Sequence, residues 1–547
     1  MGSNKKSLFL AKILGLLLVI INIIGCANIQ RPLGGPRDRT PPKLLLATPV
    51  NETRNFNAKQ IRMDFDEYFK LVNQFQEITV SPAMEKTPEF KVRQKSLYIN
   101  FKDTLQKNTT YVINFGKAVA DVNEGNVIKN FVYVFSTGPH IDSLTLSGTV
   151  VNSLTQEKEK DVTVMLVPIK QDTIWGKHKP SIFTSTDSSG NFSMSYLHDG
   201  RYRIYALKEQ SANRIYDNES EQVGFLKNDI VLDKDTSGVQ LSLFQQDPDR
   251  FRILAKRFDA DGKILLAFNK KLAEPGITIN YPKGSNDQKY VDFSKTRDTA
   301  LIYLRNMDFD SVSVAITDHG KPIDTTYLRK GRKEAFKRDI SIGANISNMG
   351  RLKPNTDLQL TLNSPIESFD RSRVLLLEDS VDVSNFTLQK DSLKQTKFIL
   401  KYRWKQDKRY ELSFNEGTFV NIYGDHNKRI VKKFTVDKIE NYGTLTLKMT
   451  VPDTSKNYVV ELLNDKKEVL RSDAIKKNTS LVYKDYPTGR LFVRVTYDTN
   501  GNGKWDTGNI KAKRYPENIW VSPTVITLRP NWEMDQDVAI PPEVFIP

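Results

Sequence analysis

Short runs in which apolar and polar residues alternate, bounded by Gly, Pro, Asn and Asp, recur roughly every ten residues along the chain. Examples are Gln60-Ile61-Arg62-Met63-Asp64-Phe65, Ser96-Leu97-Tyr98-Ile99-Asn100-Phe101, Tyr111-Val112-Ile113-Asn114-Phe115 and Arg201-Tyr202-Arg203-Ile204-Tyr205. Alternation with period two puts one face of each run towards a core and the other towards solvent, so each reads as a half-buried strand. Helical periodicity is scarce beyond the first 25 residues. Many strands without crossover helices predict an all-β chain of tandem antiparallel sandwiches and argue against a parallel α/β enzyme fold.

Internal repeats divide the chain further. Tyr111, Phe115, Gly125, Lys129, Val132 and Phe135 meet Tyr410, Phe414, Gly424, Lys428, Val431 and Phe434 at one constant offset, without a gap. Ile61–Phe65 pairs with Leu358–Leu362, and Leu97–Ile99 with Lys397–Ile399, after small slips. A weaker third copy runs from Lys263–Phe268 through Ala300–Tyr303 to Ser311–Val314. The late Tyr-x-Val strand, the Gly-containing turn and the closing Phe resemble the bacterial Ig-like module. A second unit repeats at a different offset, with Gly200-Arg201 meeting Gly489-Arg490, Asn213 Asn502, Tyr216 Trp505 and Asp217 Asp506. Together with Leu146–Val150 and the Asp187–Phe192 hairpin, it resembles the carboxypeptidase-regulatory or transthyretin-like sandwich. The implied order is an Ig-like domain at 43–139, a transthyretin-like domain at 140–245, a degenerate Ig-like domain at 246–340, an Ig-like domain at 341–438, a transthyretin-like domain at 439–535 and a tail at 536–547, in an elongated chain.

The beginning of the chain predicts its address. Lys5, Lys6 and Lys12 precede an apolar stretch from Ile13 to Ile24, a basic region followed by a short hydrophobic one, as in an export signal over residues 1–25. It ends in Ile23-Ile24-Gly25-Cys26, with the only Cys of the chain, and resembles the lipobox of bacterial lipoproteins. That resemblance implies a lipid on Cys26 and durable membrane anchoring through two or three acyl chains. Residues 26–42 contain Gly34-Gly35-Pro36 and Pro41-Pro42 and read as an extended tether. The wording Pro32-Leu33-Gly34-Gly35-Pro36-Arg37-Asp38-Arg39-Thr40-Pro41-Pro42 resembles the start of Bacteroidota outer-membrane lipoproteins that carry an Ig-like domain next. Asp-Ser/Thr pairs such as Asp142-Ser143 and Asp298-Thr299 resemble the O-glycosylation sequon of that phylum, although turn chemistry favours the same pairs. No acidic residue lies between 27 and 37, which turns the expectation towards the periplasmic face of the outer membrane rather than surface display.

Composition narrows the class without naming a partner. With 547 residues, 39% hydrophobic and 27% charged, the chain is long enough for about four or five domains. Its formal charge of +16 suits an acidic partner but does not identify one. No apolar run after the first 25 residues is long enough to span a bilayer as a helix, which excludes multi-span helical channels and transporters.

Chemistry-bearing motifs are few. Asp498-Thr499-Asn500-Gly501-Asn502-Gly503-Lys504-Trp505-Asp506 places oxygen side chains of Asp498, Asn500, Asn502 and Asp506 at alternating positions, with the Lys504 carbonyl as a fifth donor. Such a set suits a hard cation, so weak calcium binding is one reading; a hairpin whose Asx side chains cap their own backbone is the other. The bidentate acid of an EF-hand is missing, since Asn509 stands at its position. Arg329, Lys330, Arg332, Lys333, Lys337 and Arg338 form a basic patch that reads either as a surface for phosphates or acidic proteins or as a solvated interdomain linker. Lys401-Tyr402-Arg403-Trp404-Lys405 mixes cations with aromatics, but strand alternation explains it, and no nucleic-acid partner is expected. The five His residues show no zinc spacing, Asp318-His319 and Asp425-His426 lie in turns, and no nucleophile elbow or phosphate loop occurs. Asp64 and Asp66 share a strand face without further signs of a cleft.

No catalytic residue and no enzymatic activity are expected. The sequence points to a non-catalytic lipid-anchored scaffold or adaptor, an accessory subunit docking on an outer-membrane β-barrel or multiprotein complex for assembly, secretion or transport. The alternative is a glycan-binding or spacer lipoprotein of a carbohydrate-handling system, in which aromatics such as Trp175, Trp404 or Trp520 stack on sugars. No cofactor other than calcium is suggested.

Overall fold

The computed structural model describes residues 38–82, 84, 86–170, 180–210, 213–218, 220–331 and 336–544. Cys26, the tether up to Arg37, Trp175, Arg332 and Lys333 lie outside the described residues. The described chain is nearly all-β, with mostly antiparallel sheets, and divides into two compact units, 1–141 and 142–547.

In the first unit, strands Leu44–Thr48, Gln60–Phe65, Ser96–Asn100 and Glu89–Arg93 lie side by side in that order. A second sheet orders Thr79–Ser81, Thr110–Asn114 and Val132–Ser136. The alternation read in the sequence is the packing: Ile61, Met63 and Phe65 point inward and are buried, as are Leu97 and Ile99 of the neighbouring strand. They meet Tyr111, Ile113, Tyr133 and Phe135 from the second sheet in one core.

The second unit contains four such cores. Strands Ile253–Phe258, Ile264–Phe268, Thr299–Leu304 and Lys289–Phe293 repeat the four-strand order of the first unit, and Ile342–Ala344, Leu358–Leu362, Lys397–Lys401 and Thr387–Lys390 repeat it again. Cross-strand pairs correspond: Ile61 opposes Ile99, Ile264 opposes Ile302, and Leu360 opposes Phe398. The late strands correspond as well. Tyr111 stacks on Phe135 with ring centroids 5.3 Å apart, and Tyr410 stacks on Phe434 at 5.4 Å. Each hydroxyl accepts a hydrogen bond from the backbone amide five residues upstream, Gln106 at 2.9 Å and Lys405 at 2.8 Å. The shared tyrosine thus ties its strand to the preceding loop while its ring fills the core.

The remaining two sandwiches share another plan. In one, Leu144–Asn152 pairs antiparallel with Asn191–Leu197 and parallel with Thr236–Leu243, and the facing sheet orders Ile182–Ser185, Thr163–Pro168, Gly200–Lys208 and Gln222–Phe225. In the other, Tyr442–Thr450 pairs antiparallel with Thr479–Pro487 and parallel with Glu533–Ala539, facing Val469–Ile475, Asn457–Leu463, Gly489–Asp498 and Ile519–Val521. They are called here the second and fifth sandwiches, after their order along the chain.

Candidate functional site

In the fifth sandwich the hairpin at 498–506 closes on its own backbone. Asp498 is buried, and its carboxylate accepts from the amides of Gly501 at 2.7 Å, Asn502 at 3.2 Å and Gly503 at 2.8 Å. Gly501 and Gly503 have φ of +72° and +74°, left-handed values that a side chain disfavours, so the turn needs them. Asn500 and Asn502 both donate to Asp506 through their amide groups, the latter at 2.6 Å. Glu517, which the sequence reading did not single out, completes the corner: it accepts from the Thr499 amide and hydroxyl, both at 2.8 Å, and from the Asp506 amide at 3.1 Å. The Trp505 indole N–H donates to the Glu517 carbonyl at 2.9 Å.

The oxygens that a calcium ion needs are therefore engaged by N–H groups of the same loop. Among the described residues no group of three or more His, Cys, Asp and Glu side chains is arranged to hold a metal ion. The lone pairs would have to be released before a cation could use them.

The second sandwich carries the same corner in altered form. Asn213 donates to Asp217 at 2.8 Å, as Asn502 does to Asp506. Glu209 replaces Asp498 and accepts from the Arg214 amide at 2.7 Å, the position taken by Gly503 in the other copy. Arg214 is buried with its guanidinium 3.7 Å from the centre of the Phe183 ring. Burial pushes the carboxyls of Glu209 and Glu221 above the usual range, with the Arg214 charge opposing the rise at Glu209.

What the corner of the fifth sandwich positions is the loop that follows it, and this loop is inserted into the second sandwich. Tyr515 stacks on Phe225 at 5.1 Å, and its hydroxyl accepts from the Lys227 amide at 2.8 Å. Ile510 is buried with Met165, Val167, Tyr205, Leu207, Val223 and Phe244 in a separate apolar cluster on the outer side of the second sandwich. Thr507 donates to the Gln245 carbonyl at 2.6 Å, and the Ile510 amide to the Gln246 side chain at 3.1 Å. Gly508 is required by close approach, since a Cβ there would lie 2.6 Å from the Phe244 ring. The second and fifth sandwiches thus form a joined pair through residues far apart in the chain.

The basic patch is not one surface among its described members. Arg329 and Lys337 are exposed. Lys330 donates to the Met307 carbonyl at 2.7 Å, and Arg338 lies over the Tyr423 ring at 4.1 Å, between the third and fourth sandwiches. Arg338 thus reaches across to the fourth sandwich, whereas Lys330 bonds within the third. Trp404 packs into the core of the fourth sandwich beside Tyr410 and Phe434. Trp520 is half-buried and lines a cavity between the second and fifth sandwiches.

No curated protein matches the chain. Among solved structures it is similar to BcpA, the major pilin subunit of Bacillus cereus, at 10% identity and a TM-score of 0.14, covering 73% of this chain and 99% of that one. It is similar to a Bacteroides ovatus protein of the mixed-linkage glucan utilization locus, SGBP-B, at 12% identity and a TM-score of 0.19, covering 70% and 93%. The S-layer protein SbsC follows at 9% identity and a TM-score of 0.15, covering 88% and 67%. Residues 38–137, the tyrosine-tied sandwich of the first unit, match the family model of the bacterial Ig-like domain.

Proposed function

We propose that the chain is a non-catalytic scaffold or adaptor, anchored through a lipid on Cys26 in the outer membrane and facing the periplasm, where it serves as an accessory subunit of a β-barrel or multiprotein complex. The observation that carries this reading is an open sheet edge. Among the described residues, strand Lys321–Arg329 closes the three-stranded sheet of the third sandwich and pairs on one side only, with Ser311–Asp318. Ile323, Thr325 and Tyr327 stand exposed on one face of it, Tyr327 at 68%. An unpaired edge with an apolar face is a template for strand addition by another chain, in which main-chain hydrogen bonds supply affinity and side chains supply register. The joined second and fifth sandwiches support the same reading, because a buried contact holds the intervening domains on a short closed path.

The test is mild-detergent isolation of the native protein from outer membranes with mass spectrometry of its companions. Stoichiometric recovery of a β-barrel protein, lost in Tyr327→Lys, supports the scaffold; recovery of the chain alone overturns it. Release of Cys26→Ser protein from the membrane fraction tests the anchor.

A further inference from the structure

The open edge of the third sandwich carries a chemistry of its own. Lys321 to Thr325 are exposed in succession, so this half of the strand overhangs the core, and only Thr326 and Leu328 are buried. The phase of the ladder follows from one bond: the Lys330 amide donates to the Asp310 carbonyl at 2.8 Å, and bonded and non-bonded pairs alternate along antiparallel strands. Leu328 and Thr326, opposite Val312 and Val314, therefore turn their backbone groups into the sheet, whereas those of Thr325, Tyr327 and Arg329 point to the free edge. The Thr325 amide agrees, since it donates to the Asp324 carboxylate at 2.7 Å and not to a ladder carbonyl. A register shift beside Ile316 and Thr317 ends regular pairing before Pro322, so the open main-chain groups run from Thr325 to Arg329.

Charge selects what can pair there. Lys321 and Arg329 stand at the two ends of the strand, and Lys256, on the edge strand Ile253–Phe258 of the facing sheet, joins them by donating to the Thr326 hydroxyl at 2.9 Å. Among the described residues none of these three cations has a carboxylate partner. Asp324 is the one acid of the strand, and it already accepts from the Thr325 amide. A second copy laid along this edge would bring its own Lys256, Lys321 and Arg329 to the same seam with only Asp324 in return, so like charges oppose that pairing. We propose that the occupant of this edge is an extended segment of a partner protein with carboxylates near both ends and uncharged residues between them. The inference rests on the reading of this edge as a strand acceptor, and the test separates the two.

Two fluorescein-labelled peptides of the strand's own length are titrated against the full chain by anisotropy. One is Glu-Thr-Val-Thr-Val-Thr-Val-Thr-Glu and the other has Lys at both ends, each methylated on alternate amides so that it pairs along one edge only. The Glu-ended peptide is expected to bind about tenfold more tightly than the Lys-ended one at low salt, with the gap closing as salt is added. Lys321→Glu with Arg329→Glu, both at exposed positions, should reverse the order. Tyr327→Pro deletes an outward amide without touching the ladder, so it should abolish binding of both peptides. Equal binding of the two peptides, or a dimer of the chain alone that Tyr327→Pro dissolves, overturns the acidic partner and leaves the strand acceptor standing. Binding that survives Tyr327→Pro, or no binding of either peptide, overturns both.

Discussion

Tyr515 of the fifth sandwich lies against Phe225 of the second with ring centroids 5.1 Å apart and planes 29° from parallel, although 290 positions (515 − 225) separate them in the chain. The same tyrosine accepts a hydrogen bond from the Lys227 amide and has the Lys227 ammonium 4.5 Å from its ring. The contact therefore combines stacking, a polar anchor and a cation over the ring.

Removing that ring should open the joint. Tyr515→Ala is expected to cost about 2–4 kcal/mol, since it deletes a half-buried aromatic and leaves space beside Phe225 and Phe244. Hydrogen exchange is the suitable readout because it resolves local opening in a multidomain chain: amides of Val223–Phe225 should exchange faster, while those of Gln60–Phe65 should not change.

The two shared tyrosines make a paired prediction. Tyr111→Phe and Tyr410→Phe keep the stacked rings but leave the Gln106 and Lys405 amides without their acceptor. Tyr111→Phe should lose about 1–2 kcal/mol in thermal unfolding, and Tyr410→Phe more, because the Tyr410 hydroxyl also donates to Glu378. Equal losses would show that the Glu378 contact adds nothing to the shared tie.

In the fourth sandwich, Glu378 accepts from Lys405 at 2.8 Å, from the Tyr402 hydroxyl at 2.8 Å and from the Tyr410 hydroxyl at 3.2 Å. The Lys405 hydrogen bond first, and the two tyrosines after it, hold the Glu378 carboxyl below its ordinary range. Burial first, and the Glu378 charge with it, push both phenols up to about 12. The signs are opposite. Lowering of the Glu378 carboxyl gives stability that is present above the ordinary Glu value near 4.3 and is lost as pH falls through the folded value. Raising of the phenols gives stability that is full below about 10 and is lost as pH climbs towards 12. Glu378→Gln should reduce both effects, which phenolate absorbance and acid unfolding can follow.

Arg214 fills, in the second sandwich, the position of Gly503 in the fifth. Arg214→Met keeps bulk against Phe183 but removes the charge beside Glu209, and is expected to cost about 3–5 kcal/mol at neutral pH. Because burial raises the Glu209 carboxyl, the loss should shrink as the solution is acidified and that group becomes neutral, which thermal melts across the acid range would detect.

The hairpin at 498–506 predicts a weak response to calcium. Its carboxylates already accept from loop amides, so millimolar calcium should shift the melting temperature little, and Asp498→Asn should destabilise the chain with or without the ion. A large calcium-dependent stabilisation that vanishes in Asp498→Asn would reverse this.

Period-two alternation and the repeats around Tyr111 and Tyr410 were legible because core packing writes directly into sequence: the buried positions of the late strands recur at the same spacing in the two copies. The Asn213–Asp217 and Asn502–Asp506 corners were legible for the same reason, since local hydrogen bonds demand fixed residue types at fixed separations. The joint between the second and fifth sandwiches was not, because its partners share no spacing. One signal did exist. Thr163–Pro168 reads Thr-Val-Met-Leu-Val-Pro, with apolar residues at four consecutive positions, where a strand wetted on one face would alternate; Val164 and Leu166 fill the sandwich core while Met165 and Val167 meet Ile510. Glu517 was missed because a lone acid 11 residues (517 − 506) beyond Asp506 carries no pattern of its own.

The parallel pairing at the ends of these domains has a mechanical meaning. Leu146–Asn152 runs beside Thr236–Leu243, and Thr444–Thr450 beside Glu533–Ala539, so the chain comes in at one end of each sandwich and goes out at the other. Shorter parallel contacts, Thr53 with Phe135 and Arg351-Leu352 with Thr435-Val436, do the same in the first and fourth sandwiches. A pull on the two ends of such a domain slides its first strand past its last and loads the connecting hydrogen bonds together, in shear, instead of opening them one after another. A sandwich built this way should resist such a pull better than one whose end strands unzip pair by pair.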